Sequence, residues 1–218
     1  MALYTALVMT IALTVGNAAD TRPINRPVGL AGTVIGLGGR GDPACARVPD
    51  KLSGRVVPTG TDYLPSPYPA TLNMIGSVRV GMPDLHRLVT TTADTITVVA
   101  YSEGTLLAEQ EKRNLRNDST APAPQNLRFL EIASPFIPNG GIFARFPGMG
   151  IPYLIPGMGP ARDTWYNTTY IANEYDPYAD FPAYFNPAAL LNTLMAVSYA
   201  HPDAFYDPVD QTSPENFV

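Results

Sequence analysis

Ser102 lies in Ala100-Tyr101-Ser102-Glu103-Gly104, between a β-branched run at 95–99 and a helix-compatible run at 105–116. Strand, sharp turn and helix in that order are the setting in which a G-x-S-x-G elbow presents its serine oxygen. Small residues flank such a serine because strand and helix approach closely there. Gly104 keeps the last glycine of the pattern and Ala100 replaces the first. The pentapeptide is short, and a serine in a turn is commonly only a turn residue, so the reading rests on the strand and helix around it. A serine hydroxyl is a poor nucleophile until a base removes its proton. A histidine suits that task, and a carboxylate on its far nitrogen fixes the tautomer and steadies the imidazolium. The chain has two histidines, His86 and His201. The order serine, acid, histidine expected of an α/β-hydrolase excludes His86 and leaves His201. For the acid, Asp176 directly follows the last strand-like run, and Asp180 four residues on is the alternative.

The tetrahedral intermediate of acyl transfer needs two preorganised backbone donors for its oxyanion. One is expected at the amide of Glu103, the residue after the serine. The other is expected in the glycine loop 38–41 after an early strand, at the amide of Arg40. That loop has neither the spacing nor the following Lys-Ser/Thr of a phosphate-binding loop. Its Arg40-Gly41-Asp42 string is read as chance.

The elements that must carry these groups follow from hydrophobic pattern. The chain has 218 residues, 45% of them hydrophobic, enough for one α/β domain with a sizeable core. An apolar run at 27–41 ending in glycines predicts a buried parallel strand. Residues 55–70 predict a short strand and then a rigid proline loop, and 73–90 a helix interrupted near Pro83 with His86 at the surface or in a cap. Strands are expected at 95–100, 126–133 and 168–175, and a helix at 105–116. Within that helix Glu109 and Arg113, four apart, suggest an exposed face, and Leu106, Leu107 and Leu115 an inward one. Asn186 and Pro187 fit an N-cap and first turn for a helix over 186–200. Alternating strands and helices imply a largely parallel sheet. Residues 134–165 form a long apolar segment rich in Gly, Pro, Met and Phe. It is either a rim or lid for an apolar substrate or a plain cover for the sheet.

Composition removes several function classes. Net charge is −5, the sequence pI is about 4.9, and the only lysines are Lys51 and Lys112, so nucleic acid is not an expected partner. The single cysteine, Cys45, cannot form an internal disulfide, and with two histidines no metal or other cofactor site is expected. Cys45 is read as a small packed apolar residue. Residues 1–19 have the length and small-residue end of a signal peptide but no Lys or Arg, and export is expected. A first strand or helix of the fold, or an uncleaved anchor, are the other readings of that segment. The tail at 207–218 is acidic and polar and is expected to be loose.

Taken together, the chain resembles the PE-PPE domain family, serine α/β-hydrolases of the mycobacterial type, cutinase-like in fold. The resemblance spans roughly residues 30–206 and is carried by several stretches of the sequence. The most specific is Asn-Gly-Gly-Ile-Phe-Ala-Arg-Phe-Pro-Gly at 139–148, followed by Glu-Tyr-Asp-Pro-Tyr-Ala-Asp-Phe-Pro at 174–182. Tyr-Ser-Glu-Gly at 101–104, Glu-Lys-Arg-Asn-Leu at 111–115, Gly-Gly-Arg-Gly-Asp-Pro at 38–43 and Ser-Tyr-Ala-His at 198–201 also fit. The resemblance implies an esterase or acyltransferase acting on acyl esters, envelope lipids such as trehalose esters among them, with peripheral contact to membrane or envelope lipid. It maps nucleophile, acid and base to Ser102, Asp176 and His201. Ala100 stands where the family has glycine and Arg40 where it has threonine, which bears on rate and specificity. A lipid-binding envelope protein that kept the fold without catalysis is the competing class.

Overall fold

The computed structural model describes residues 10–15, 32–152, 155–162, 164–184 and 186–212. In chain order the elements are β1 (Thr10–Val15), β2 (Thr33–Leu37), β3 (Asp62–Pro65), α1 (Met74–Thr91), β4 (Ile96–Tyr101) and α2 (Gly104–Leu115). Then come β5 (Leu127–Ile132), a single-turn α3 (Ile142–Arg145), β6 (Asn167–Asn173), α4 (Pro187–Ala196) and a single-turn α5 (Asp203–Tyr206). Six strands form one sheet in the order β1-β6-β5-β4-β2-β3. The five strands from β3 to β6 pair in parallel, and β1 adds to β6 antiparallel at the edge. This is the α/β architecture expected from the alternating pattern, with helices flanking a mostly parallel sheet.

The central strands read as continuous apolar runs because both their faces are covered. Every residue of β2 and β4 is buried. Val34, Ile35 and Leu37 pack with Val98, Val99, Phe129 and Leu130 and with Leu85, Leu107 and Leu115 from α1 and α2. β4 sits centrally, between β2 and β5. A serine at its C-terminal end therefore emerges mid-sheet, where open parallel sheets hold their ligands.

Several local expectations are corrected. The strand expected early in 55–70 lies at Asp62–Pro65, in parallel register with Thr33–Gly36. α1 runs through Pro83 without a break, and both the proline and Arg79, the residue whose carbonyl loses its helical donor, are exposed. His86 is neither a lone surface group nor a cap: its Nδ1 lies 2.9 Å from Glu111 and its Nε2 3.2 Å from Asp118. Glu109 is not on an exposed face. It is fully buried in an ion pair with Lys112, which also lies 2.7 Å from Glu131. The described part of the tail is docked rather than loose, with Asp207 2.6 Å from Lys51 and Asp210 2.5 Å from Arg55. Cys45 is buried as expected, and burial pushes its thiol up to about 11.

Within the segment read as a leader, Thr10–Val15 forms the edge strand β1. Residues 1–9 and 16–31 lie outside the described residues. No described helix is long and apolar enough to cross a membrane.

Candidate active site

The chain turns sharply at the end of β4. Ser102 takes a left-handed backbone conformation (φ 51°), which L-residues adopt at a cost. Its own N–H donates to the Ile132 carbonyl at 2.9 Å, and its carbonyl accepts from the Thr105 N–H at 3.0 Å and the Thr105 hydroxyl at 2.6 Å. These bonds hold the strained turn from both sides. α2 starts at Gly104 because nothing larger fits: an added Cβ would lie 2.6 Å from the Leu37 carbonyl oxygen and 2.7 Å from that of Gly38. Ala100, two residues before the serine, is fully buried within β4. The departure from glycine is thus accommodated inside the sheet.

The structure brings Ser102, His201 and Asp176 into one hydrogen-bonded line. Ser102 Oγ is 2.8 Å from His201 Nε2, and His201 Nδ1 is 2.9 Å from Asp176 Oδ2. Asp176 is fully buried, so its charge must be matched by donors. Oδ1 accepts from the N–H groups of Tyr178 (2.9 Å) and Ala179 (3.1 Å). Oδ2 accepts from the Tyr206 hydroxyl at 2.6 Å as well as from His201. Asp180 does something else: its carboxylate accepts from the Tyr175 N–H at 2.9 Å, and its own N–H donates to the Asp176 carbonyl at 2.8 Å. It closes the turn that carries Asp176. His86 lies apart, on α1 with Glu111 and Asp118.

The segment bearing His201 has little regular structure and is held by distant groups. Tyr101 donates its hydroxyl to the His201 carbonyl and stacks on the imidazole at 6.0 Å, while the Tyr178 ring meets it edge-on at 4.5 Å. Asn173 at the end of β6 donates to the carbonyls of Ala200 (3.1 Å) and Phe205 (3.0 Å). The buried Lys51 ammonium bonds Asp203 at 2.5 Å and Asp207 at 2.6 Å. Tyr101, Tyr178, Tyr206, Asn173 and Lys51 were not read as site residues from the sequence. Tyr101 alone gave a signal, through its place beside Ser102.

Arg40 and Glu103 both line the cavity into which Ser102 and His201 open. Among the described residues neither backbone N–H has an acceptor. The Glu103 side chain is buried, and burial pushes its carboxyl up to about 7, with Ser77 and Arg40 pulling weakly the other way. The cavity has a volume of about 440 Å³. Leu106, Phe143, Met149 and Ile155 make much of its wall. The 134–165 segment therefore supplies cavity lining, and it also covers α2, where Arg113 donates to the Met158 carbonyl at 2.7 Å. Among the described residues no cluster of His, Cys, Asp or Glu is suited to hold a metal.

Residues 56–218 match the PE-PPE domain, and the chain belongs to that family. Among its relatives in Mycobacterium tuberculosis, the esterase PE16 is 39% identical over 110 residues, covering 49% of this chain and 21% of that protein. The diacyltrehalose acyltransferase Chp2 is 32% identical over 149 residues, covering 64% of this chain and 41% of that protein. The SL1278 acyltransferase Chp1 is 33% identical over 138 residues, 61% of this chain and 33% of its own length. The chain thus spans less than half the length of each. A cutinase-like protein from Cryptococcus sp. overlays with a TM-score of 0.44 at 14% identity, covering 82% of this chain and 95% of that one.

Proposed function

We propose that the protein is a serine hydrolase of acyl esters that works through an acyl-Ser102 intermediate. The observation that carries this reading is the unbroken line from Ser102 Oγ to His201 Nε2 and from His201 Nδ1 to Asp176 Oδ2, at 2.8 and 2.9 Å. With its Nδ1 proton donated to Asp176, His201 presents a free Nε2 lone pair to the serine hydroxyl. As Ser102 Oγ attacks the ester carbonyl, its proton passes to His201, and Asp176 steadies the imidazolium. The oxyanion is met by the amides of Arg40 and Glu103, whose N–H groups have no acceptor among the described residues. Collapse expels the alcohol, which takes the proton from His201. Water, activated by the same imidazole, then attacks the acyl-serine and releases the acid.

Acyl transfer is the second reading, favoured by the names of Chp1 and Chp2. In it a sugar or lipid hydroxyl replaces water in the second half, with trehalose esters among the products. Export is a separate proposal that rests on the leader-like composition of residues 1–19, set against the pairing of Thr10–Val15 with β6. N-terminal sequencing of protein recovered from the culture medium checks export.

A fluorophosphonate probe tests the assignment. It is expected to label the purified protein at Ser102 and to leave Ser102→Ala and His201→Ala unlabelled while both variants keep the wild-type melting temperature. Folded wild-type protein that resists the probe would return the chain to the lipid-binding class. Turnover of a short-chain nitrophenyl ester with and without trehalose then separates hydrolysis from transfer.

A further inference from the structure

α4 half-buries Leu190 but leaves most of its large apolar side chains outside. Its buried residues are the small Thr193 and Ala196, while Leu191, Leu194 and Met195 are 62%, 70% and 57% exposed. Val197 and Tyr199 extend the exposed apolar row beyond the helix. A surface helix ordinarily turns its large apolar side chains to the core. Across the site, Phe146 and Ile151 are also exposed, on the loop whose Met149 and Ile155 line the cavity. The loop meets the chain that leads into α4: the Phe146 ring meets Phe181 edge-on at 5.4 Å, and Arg145 Nε donates to the Phe181 carbonyl. Val197 belongs both to the exposed row and to the cavity wall.

Charge decides what covers this rim. Neither residues 146–161 nor residues 181–200 contain an Asp, Glu, Lys or Arg. A protein partner's footprint usually has a polar rim and is enriched in Arg. Binding to anionic lipid relies on Lys and Arg at the surface, and this chain carries a net charge of −5. Two uncharged, largely apolar stretches at the mouth of the cavity, with Arg145 and Arg162 only at the ends of the loop, match the surface of a neutral lipid aggregate, which asks for buried apolar area and no ion pairs.

We propose that the rim formed by α4 and by residues 146–152 and 155–161 seats on the surface of an uncharged lipid aggregate, so that an acyl ester passes from that surface into the cavity. The delivery step rests on the ester-hydrolase reading above, whereas the seating does not. Flotation with phosphatidylcholine vesicles tests the seating, using the full chain and the double variant Leu191→Ser/Leu194→Ser, neither of which lines the cavity. The wild type is expected to float with the vesicles, and the variant to bind them roughly tenfold or more weakly. Replacing part of the phosphatidylcholine by phosphatidylglycerol is expected to give no gain. Turnover of a soluble short-chain nitrophenyl ester should be unchanged in the variant, and turnover of a long-chain ester dispersed in the vesicles should fall by the same factor as binding.

Wild-type protein that stays at the bottom of the gradient overturns the proposal, as does a folded variant that floats like the wild type. A wild-type dimer in sedimentation that dissociates in the variant also overturns it, by making this face a contact between copies. Loss of soluble-ester turnover in the wild type would defeat the hydrolase reading alone, because flotation needs no catalysis.

Discussion

The Asp176–His201–Ser102 line and the Lys112 cluster are both polar groups buried on one sheet, yet of the two only the first reaches the cavity described above. Along the first, exposure grades from none at Asp176 through 18% at the His201 side chain to Ser102 at the cavity wall. The second closes on itself. Lys112 meets Glu109 and Glu131, Tyr170 donates to Glu109 at 3.2 Å, and Ser134 donates to Glu131 at 2.7 Å. None of Lys112, Glu109 and Glu131 lines the cavity. Burial pushes the Glu131 carboxyl up to about 7 against the pull of Lys112. Burial also works against the Lys112 charge, but Glu131 and Glu109 outweigh it and hold the ammonium above its usual range. Perturbed titration marks functional sites only in part. What separates the two clusters is access, since a proton relay needs one end open to a reactant.

The largest effect that would break this contrast comes from the acid. Asp176→Asn reverses a donor-acceptor pair at His201 and is expected to lower ester turnover on the order of 10⁴-fold, with Asp180→Asn harming it far less. Steady-state rates on a nitrophenyl ester check the ranking, and an equal loss in both would shift the acid's role toward the turn as a whole. Lys112→Met probes the closed cluster. It leaves buried carboxylates without their cation and should lower unfolding free energy by about 3–5 kcal/mol. Urea melts measure this. Labelling of the fraction that remains folded should match the wild type, and a selective loss of labelling would tie the second cluster to the chemistry.

Glu103 lies between the two cases, buried yet beside the cavity. Its carboxyl moves from an ordinary 4.5 to about 7 on folding. A raised acid contributes stability that is complete below the unfolded value and is lost as pH rises toward the folded one. Wild-type stability should therefore decline between about pH 4.5 and pH 7, and Glu103→Gln should flatten that slope. The difference amounts to on the order of 2–3 kcal/mol above the window. Thermal melts across that range decide, and parallel curves for the two proteins would refute it.

The smallest expected change is at Tyr206, whose hydroxyl steadies Asp176 Oδ2. Tyr206→Phe keeps the ring packed on Tyr101, removes one neutral hydrogen bond to the Asp176 charge, and also takes the acceptor from the Asn173 N–H at 3.0 Å. Turnover should fall roughly tenfold, the size of one such bond, with little change in KM. An unchanged kcat would leave His201 and the two loop amides as the only donors that Asp176 requires.

Much of the frame was legible because it is local. The β-branched run before Ser102 and the helix after it need only neighbours in sequence, and Asn186 caps α4 with its own side chain at 3.0 and 3.4 Å. Glu109 was misplaced because a pair four apart says nothing about which face the sheet covers. His86 was misread for a related reason: its partners Glu111 and Asp118 come from α2 and the loop after it.

Sequence alone determined the alternating α/β plan, the serine at the end of a strand, and a single histidine late enough to meet it. Each is set by propensity, period or chain order. Only the tertiary structure distinguished Asp176 from Asp180 by their partners, gave Tyr206 and Lys51 theirs, placed Ser102 mid-sheet, and turned Leu191, Leu194 and Met195 of α4 outward. Those outcomes depend on which distant surfaces are pressed together and which are left to solvent, and four residues of separation along a turn carry no such information.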